Sequence, residues 1–175
     1  EGIDINGKHV ALITYIRTDS TEFAPEFVDS LYDFVKDKYG EKNFHKLREY
    51  KKSDTEQDGH EAIRPVDLSM TPEKLSSFIS DAQLIKVYSI IYNRTVACAM
   101  NDQLIVDTTY NIYNEDYKFV FVNHAIKDKG FKTVYSYDKD EDDEFLPYIN
   151  LNKGDVVKHS ALEYKEKQTT PPSRF

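Results

Sequence analysis

Two clusters of residues in this sequence carry enough chemistry to suggest a reaction. The first is Leu12-Ile13-Thr14-Tyr15-Ile16-Arg17-Thr18-Asp19-Ser20. If the apolar run Lys8 to Arg17 is a strand, side chains alternate between its faces, so Tyr15 and Arg17 project from the same side. A phenol has an ordinary pKa near 10, so only about 0.1% is ionised at neutral pH. A nucleophilic tyrosine therefore needs a neighbouring cation or base. Arg17 supplies a positive field and can also grip a phosphate oxygen. The hydroxyls of Thr18, Ser20 and Thr21 follow at once, with backbone N–H groups ahead of a helix, a setting that suits an anion. The same residues also suit a tyrosine and an arginine that merely end an ordinary strand. The second cluster is Gln57-Asp58-Gly59-His60-Glu61-Ala62-Ile63-Arg64-Pro65. A zinc protease would need a second histidine four positions after His60, and that position is Arg64, so this chemistry is excluded. Between a permissive glycine and a stiff proline, His60 is placed to donate to a phosphate or relay a proton. A histidine hydrogen-bonded within a turn is the other reading.

The elements that position these clusters follow from periodicity. Residues 8–17 are β-branched and apolar and predict a mostly buried strand. Phe27, Val28, Leu31, Phe34 and Val35 recur at helical spacing and predict a helix from Ala24 to Tyr39, with Pro25 in its first turn and Gly40 as its stop. Residues 41–62 are polar and irregular. Thr71-Pro72-Glu73 is a strong helix start, with a capping hydroxyl, proline at the first position and an acid in the first turn. That helix is expected to reach about Met100, broken near Ser80-Asp81, with Leu84, Val87, Tyr88, Ile91 and Thr95 on its inner face. Beyond Asn101 the texture changes to strands: Gln103 to Tyr113, Tyr117 to Ile126, Lys132 to Tyr137, and, after a turn at Lys153-Gly154-Asp155, Val156 to Tyr164. The expected fold is α+β, with a mostly helical domain over 1–100 carrying the tyrosine and a β-rich antiparallel segment over 101–175.

Composition narrows the function. The chain has 175 residues, a single cysteine (Cys98) and a net charge of −8 at pH 7. One cysteine excludes a disulfide framework and a cysteine-rich zinc site within these residues. It makes a reducing, intracellular setting the natural expectation. No stretch approaches the roughly 18 uncharged apolar residues of a membrane span, and the first residues do not read as a signal peptide. Residues 1–100 hold 13 basic against 17 acidic side chains, and 101–175 hold 10 against 14. Both halves are thus mildly acidic, which argues against a generic basic nucleic-acid binder. A local exception is Lys36 to Lys52, with Lys36, Lys38, Lys42, Lys46, Arg48, Lys51 and Lys52 against three acids. It reads as a solvated surface or as a secondary phosphate contact. The acidic run Asp138 to Glu144 reads as a solvated loop. No phosphate-cradling glycine loop with its lysine is present.

Taken together, the two clusters closely resemble the type IA DNA topoisomerases, specifically their bacterial topoisomerase I branch. The resemblance continues through Tyr88 to Met100, similar to that family's helix ending in Ala, Ser or Cys, Gln and Met, although Ala99 stands where Gln is usual. It closes on Thr169-Thr170-Pro171-Pro172-Ser173-Arg174-Phe175, similar to the family's T-x-P-P-x-R segment. The resemblance implies an ATP-independent enzyme that cleaves and rejoins one DNA strand through a 5′-phosphotyrosyl intermediate and relaxes negative supercoils. It places the nucleophile at Tyr15, the phosphate-contacting arginine at Arg17 and the active-site histidine at His60. DNA contacts are expected from Arg17, Thr18, Ser20, His60 and Arg64, with no metal ligand in the chain. It further implies a winged-helix-like tyrosine domain, a strand-rich arch that hinges, and a metal-binding Toprim domain elsewhere in a longer chain. The expectations that follow are Mg²⁺ bound outside these residues, single-stranded DNA as the main partner together with the remaining domains of the same chain, and no membrane. A monomer in the cytoplasm, associated with the nucleoid, completes them. A non-catalytic module that binds single-stranded DNA or serves as a scaffold is the alternative. A tyrosine recombinase or relaxase would need Arg-His-Arg sets or clustered histidines, whereas His9, His45, His60, His124 and His159 are dispersed.

Overall fold

A computed structural model describes residues 2–5, 7–50, 60–136, 145–158, 160–161, 163 and 165–169. The chain opens with a short antiparallel hairpin, β1 (Ile3–Ile5) and β2 (Lys8–Val10), in which Ile3 pairs with Val10. The long strand expected over 8–17 ends at Val10. From there the backbone pairs only through an isolated antiparallel bridge between Ile13 and Pro65.

The helix α1 (Pro25–Tyr39) matches its sequence expectation, with Pro25 in its first turn and Gly40 at its end. Gly40 adopts φ 88° and donates its N–H to the Lys36 carbonyl, a backbone angle that side chains disfavour. Phe27, Leu31 and Val35 form the buried stripe. The expected break at Ser80-Asp81 is also present. It separates the short α2 (Pro72–Leu75), capped by the Thr71 hydroxyl, from α3 (Ala82–Cys98), capped by the Asp81 carboxylate. The inner face of α3 differs from the expectation. Tyr88, Tyr92, Thr95 and Val96 are buried, while Leu84 and Val87 are exposed. Full burial starts at Tyr88, so Leu84 and Val87 in the first turn and a half stand on the solvent side, with Ile85 partly covered.

The core joins α1 and α3 through Leu31, Val35, Tyr88, Tyr92 and Val96, closed by Leu12, Leu68, Leu75, Ala99 and Met100. Two tyrosine hydroxyls tie the loop after Pro65 to α3. Tyr92 donates to the Leu68 carbonyl at 2.7 Å, and Tyr88 donates to the Met70 carbonyl at 2.6 Å.

Beyond Asn101 the strands β3 (Leu104–Asn114) and β4 (Tyr117–Asp128) form one antiparallel hairpin, with Asn114 opposite Tyr117. Most of its side chains are exposed, and Asn123 and Ala125 are its buried positions. Segment 145–151 lies across it, with the Asn123 amide donating to the Pro147 carbonyl and the Leu146 N–H donating to the His124 carbonyl. The strand expected from Lys132 to Tyr137 is instead a 3-10 turn over Gly130–Thr133. Gly130 takes φ 50°, and the Phe131 N–H donates to the Asn101 carbonyl, which curls the chain back so that Phe131 and Val134 pack on the core. A Cβ at Gly130 would stand 2.3 Å from the Asp102 carbonyl oxygen, so only glycine makes that return. The described residues of Val156 to Tyr164 are not in a strand, although the turn at Lys153 and Gly154 is present. The acidic run Asp138 to Glu144 lies outside the described residues, as do Lys51, Lys52, Gln57 to Gly59, His159 and residues 170–175. The mixed helix and antiparallel-sheet content is that of the expected α+β class.

The buried tyrosines give the fold a defined alkaline limit. Desolvation, with a smaller contribution from Asp67, pushes Tyr88 up to about 12 from its ordinary 10.0, and burial raises Tyr92 as well. A tyrosine whose folded pKa is raised stabilises the fold fully below its unfolded pKa and ceases to do so as pH rises through the folded one. The chain is therefore predicted to unfold cooperatively as pH climbs from about 10 through about 12. Tyrosinate absorbance should show these two residues ionising only together with loss of helical circular dichroism. Ionisation of every tyrosine near pH 10 with the helices intact would contradict this packing.

Candidate active site

The two chemical clusters, about 45 residues apart in sequence, are joined backbone to backbone. The Thr14 N–H donates to the Arg64 carbonyl at 2.9 Å, and the Val66 N–H donates to the Leu12 carbonyl at 3.0 Å. The Thr14 hydroxyl adds two more bonds, accepting from the Arg64 N–H and donating to the Ala62 carbonyl, each at 3.1 Å. On its other side the second segment is held by the Ala62 N–H, which donates to the Glu22 carbonyl at 2.7 Å. Segment 60–66 is thus stitched between the chain before Tyr15 and the chain leading into α1.

Glu61 and Arg64 lock this arrangement onto the helix. Arg64 donates from Nε and Nη2 to the Glu61 carboxylate, both at 2.9 Å, and its guanidinium lies 3.8 Å from the centre of the Phe27 ring. Glu61 also accepts the Ala24 N–H at 3.1 Å, which places a carboxylate at the positive end of α1. Ala24 caps α1 without a side-chain bond of its own, so this carboxylate from a remote segment takes that part. Arg64, expected among the DNA contacts, donates to Glu61 and the Pro65 carbonyl and lies over the Phe27 ring.

The side chains expected to react sit at the open end of this stitch. Tyr15 is 75% exposed, with its ring centre 6.5 Å from that of His60. The chain turns at Ile16, where the Arg17 N–H donates back to the Tyr15 carbonyl at 2.9 Å. Tyr15 and Arg17 are therefore gathered by a tight turn of the γ type rather than by strand alternation. Arg17 donates from Nε to Asp19 Oδ2 at 2.8 Å, and the same oxygen stands 3.7 Å from His60 Nδ1. Thr18 is exposed beside them, whereas Ser20 is buried and its hydroxyl accepts the Glu22 N–H at 3.2 Å.

Tyr15, Arg17 and His60 are thus brought together, Thr18 borders them, and Ser20 serves the backbone. The basic stretch from Lys36 is largely self-engaged: Lys36 faces Glu41 and the Phe44 ring, Lys38 covers Phe34 and Tyr39, and Arg48 pairs with Asp102. Among the described residues no group of three His, Cys, Asp or Glu side chains converges to hold a metal ion. Of the described acids at this edge, Asp19 pairs with Arg17 through Oδ2 and Glu61 pairs with Arg64 through both oxygens. Sequence reading passed over Thr14 and Glu61. Glu61 was legible as the carboxylate three residues before Arg64, but the register that makes Thr14 a double partner exists only in the folded chain.

Residues 8–175 match the family described as DNA topoisomerase, and the chain belongs to that family, in its bacterial type IA branch. Among its relatives is DNA topoisomerase 1 of Mycoplasmoides gallisepticum (strain R(low / passage 15 / clone 2)), 34% identical over 187 residues that cover 100% of this chain and 26% of that protein. Among solved structures, full-length topoisomerase I from Thermotoga maritima is similar at a TM-score of 0.57 and 25% identity, over 76% of this chain and 21% of that one. The chain spans about a quarter of the length of the relative it matches.

The Glu61 clamp is directly testable. Glu61→Gln keeps the shape but removes the charge that Arg64 and the start of α1 both use. We predict a loss of about 1–3 kcal/mol of unfolding free energy, read as a lower urea midpoint at unchanged slope. An unchanged midpoint would show that the clamp contributes nothing.

Proposed function

We propose that this chain is the nucleophile-bearing part of an ATP-independent DNA topoisomerase that cleaves and rejoins one strand through Tyr15. The observation that carries the reading is the gathering of Tyr15, Arg17 and His60 at one exposed edge by the Leu12–Thr14 and Ala62–Val66 pairing, in a chain of this family. In the reaction the Tyr15 phenolic oxygen attacks a phosphodiester. A bond from that oxygen to phosphorus forms and the bond from phosphorus to the 3′-oxygen breaks, leaving a 5′-phosphotyrosine and a free 3′-hydroxyl. The phenol loses one proton and the 3′-oxygen gains one, so the step is balanced, and its reverse rejoins the strand without a nucleotide. Splitting the exchange through a covalent intermediate turns one hard step into two easier ones.

The roles of the residues follow from their chemistry. Arg17 grips a non-bridging phosphate oxygen and offsets the charge that develops there. His60 lies beside the tyrosine, where it holds or moves a proton at the phosphate. Thr18 offers an exposed hydroxyl to the strand. Single-stranded DNA is the substrate form that reaches such an edge, held chiefly through its phosphates. Residues 1–100 form the tyrosine domain, of winged-helix-like character, and 101–175 the hinging β segment. Mg²⁺ belongs to a Toprim domain in the remainder of a longer chain, and the present chain alone is inactive.

The experiment combines this chain with a separately made Toprim-containing half, magnesium and labelled single-stranded DNA. A covalent adduct is expected, mapped to Tyr15 by mass spectrometry, and Tyr15→Phe should abolish it while leaving the fold and the salt-dependent DNA affinity intact. Adduct formation by the Phe variant would overturn the assignment.

A further inference from the structure

Asp19 is the least exposed charged group beside Tyr15, with 17% of its side chain open to solvent, against 41% for Arg17 and 27% for His60. One of its oxygens takes the Arg17 Nε–H at 2.8 Å and stands 3.7 Å from His60 Nδ1. The other, Oδ1, is buried without a hydrogen-bond partner among the described residues, and so is His60 Nδ1. A buried ring nitrogen without a partner is costly, and the Asp19 carboxylate, whose Oδ2 stands 3.7 Å away, is the acceptor beside it. A carboxylate can only accept, so the complement it demands from an imidazole is an N–H. The remaining gap exceeds ordinary hydrogen-bond length by less than about an ångström.

We propose that Asp19 is a positioning residue that couples the two functional side chains, anchoring Arg17 by its Nε edge while making Nδ1 the proton-bearing nitrogen of His60. This rests on the reading of Tyr15, Arg17 and His60 as the reacting set. With Nδ1 carrying the proton toward Asp19, Nε2 is the nitrogen left for the substrate: an acceptor when the ring is neutral, a donor when it is charged. The same carboxylate holds the guanidinium in one plane, so phosphate and imidazole meet in a fixed relation. Among the described residues, the charged and titratable groups around His60 are Asp19, Arg17 and Tyr15, together with its neighbour Glu61, whose carboxylate is turned to Arg64 and the Ala24 N–H. Among the described residues, Asp19 is thus the carboxylate that faces the ring.

The test has two independent arms. In the first, nitrogen-15 spectra of the 175-residue chain, without DNA, read which ring nitrogen of neutral His60 carries the proton. The Nδ1–H form is expected in the native chain. The Nε2–H form is expected in Asp19→Asn, whose amide can present N–H to the ring, and Nδ1–H should return in Asp19→Glu. In the second arm the chain is combined with its Toprim-containing half. Asp19→Asn should lower the cleavage rate at saturating DNA by about 10- to 100-fold with little change in KM, and Asp19→Glu should recover part of it. An unaltered His60 tautomer in Asp19→Asn overturns the proposal, whatever the enzyme does. Should the Asn variant unfold, Asp19→Ser gives the same comparison, and an unaltered tautomer there overturns it equally. Failure of the reconstituted wild type to cleave would count against the reading of the reaction, while the spectra would still decide whether Asp19 orients His60.

Discussion

The backbone pairing of Leu12–Thr14 with Arg64–Val66 is the constraint on which the site depends. It is small, an isolated bridge with a hydroxyl at its centre, yet it closes a loop of about 50 residues. Closing such a loop costs conformational entropy that so few hydrogen bonds do not offset alone. The remainder comes from what flanks the bridge: Leu12 buried in the core, Arg64 stacked on Phe27, and the Tyr88 and Tyr92 hydroxyls holding the chain just past Pro65. The helices therefore serve the chemistry indirectly. They fix both ends of the bridge, and the bridge sets Tyr15 against His60.

The same division explains why the reactive groups can be exposed. Tyr15 and Ile16 stand in solvent on a tight turn, with the ordered segments immediately behind them. Under the proposed function a nucleophile that meets a polymeric substrate needs that openness, while its partners need burial to hold their geometry. Asp19 and Arg64 illustrate the second requirement. Each charge is placed inside an ion pair that also fixes a neighbour, which is where a buried charge is tolerated.

Much of this was legible in the sequence, for identifiable reasons. Pro25 and Gly40 bracket α1, Thr71 and Asp81 cap α2 and α3, and the dipeptide Glu115-Asp116 separates two alternating strands. These are local signals, and local signals survive folding. The failures share the opposite character. The strand expected over 8–17 stops at Val10, where the short partner β1 ends, and the chain next pairs at Ile13 with Pro65, 52 residues further on. The strand expected from Lys132 becomes a 3-10 turn because Phe131 bonds to Asn101 and packs on a distant core. Leu84 and Val87 match the helical period, yet both stand on the solvent side of α3. At the site, the motifs single out Tyr15, Arg17 and His60, whereas the contacts made by Thr14, Glu61 and Asp19 depend on the register of two remote segments.

The most direct measurement of the central claim is amide hydrogen exchange at Thr14, Arg64 and Val66, whose N–H groups the bridge occupies. In the native chain these amides should exchange as slowly as those of the core of α3. Thr14→Val, which removes the hydroxyl but keeps the branch, should speed the Arg64 amide selectively and weaken the contact between the Tyr15 and His60 rings. Rapid exchange at all three positions, with the helices still protected, would contradict the account, because the two halves of the site would then be tethered only by the chain between them.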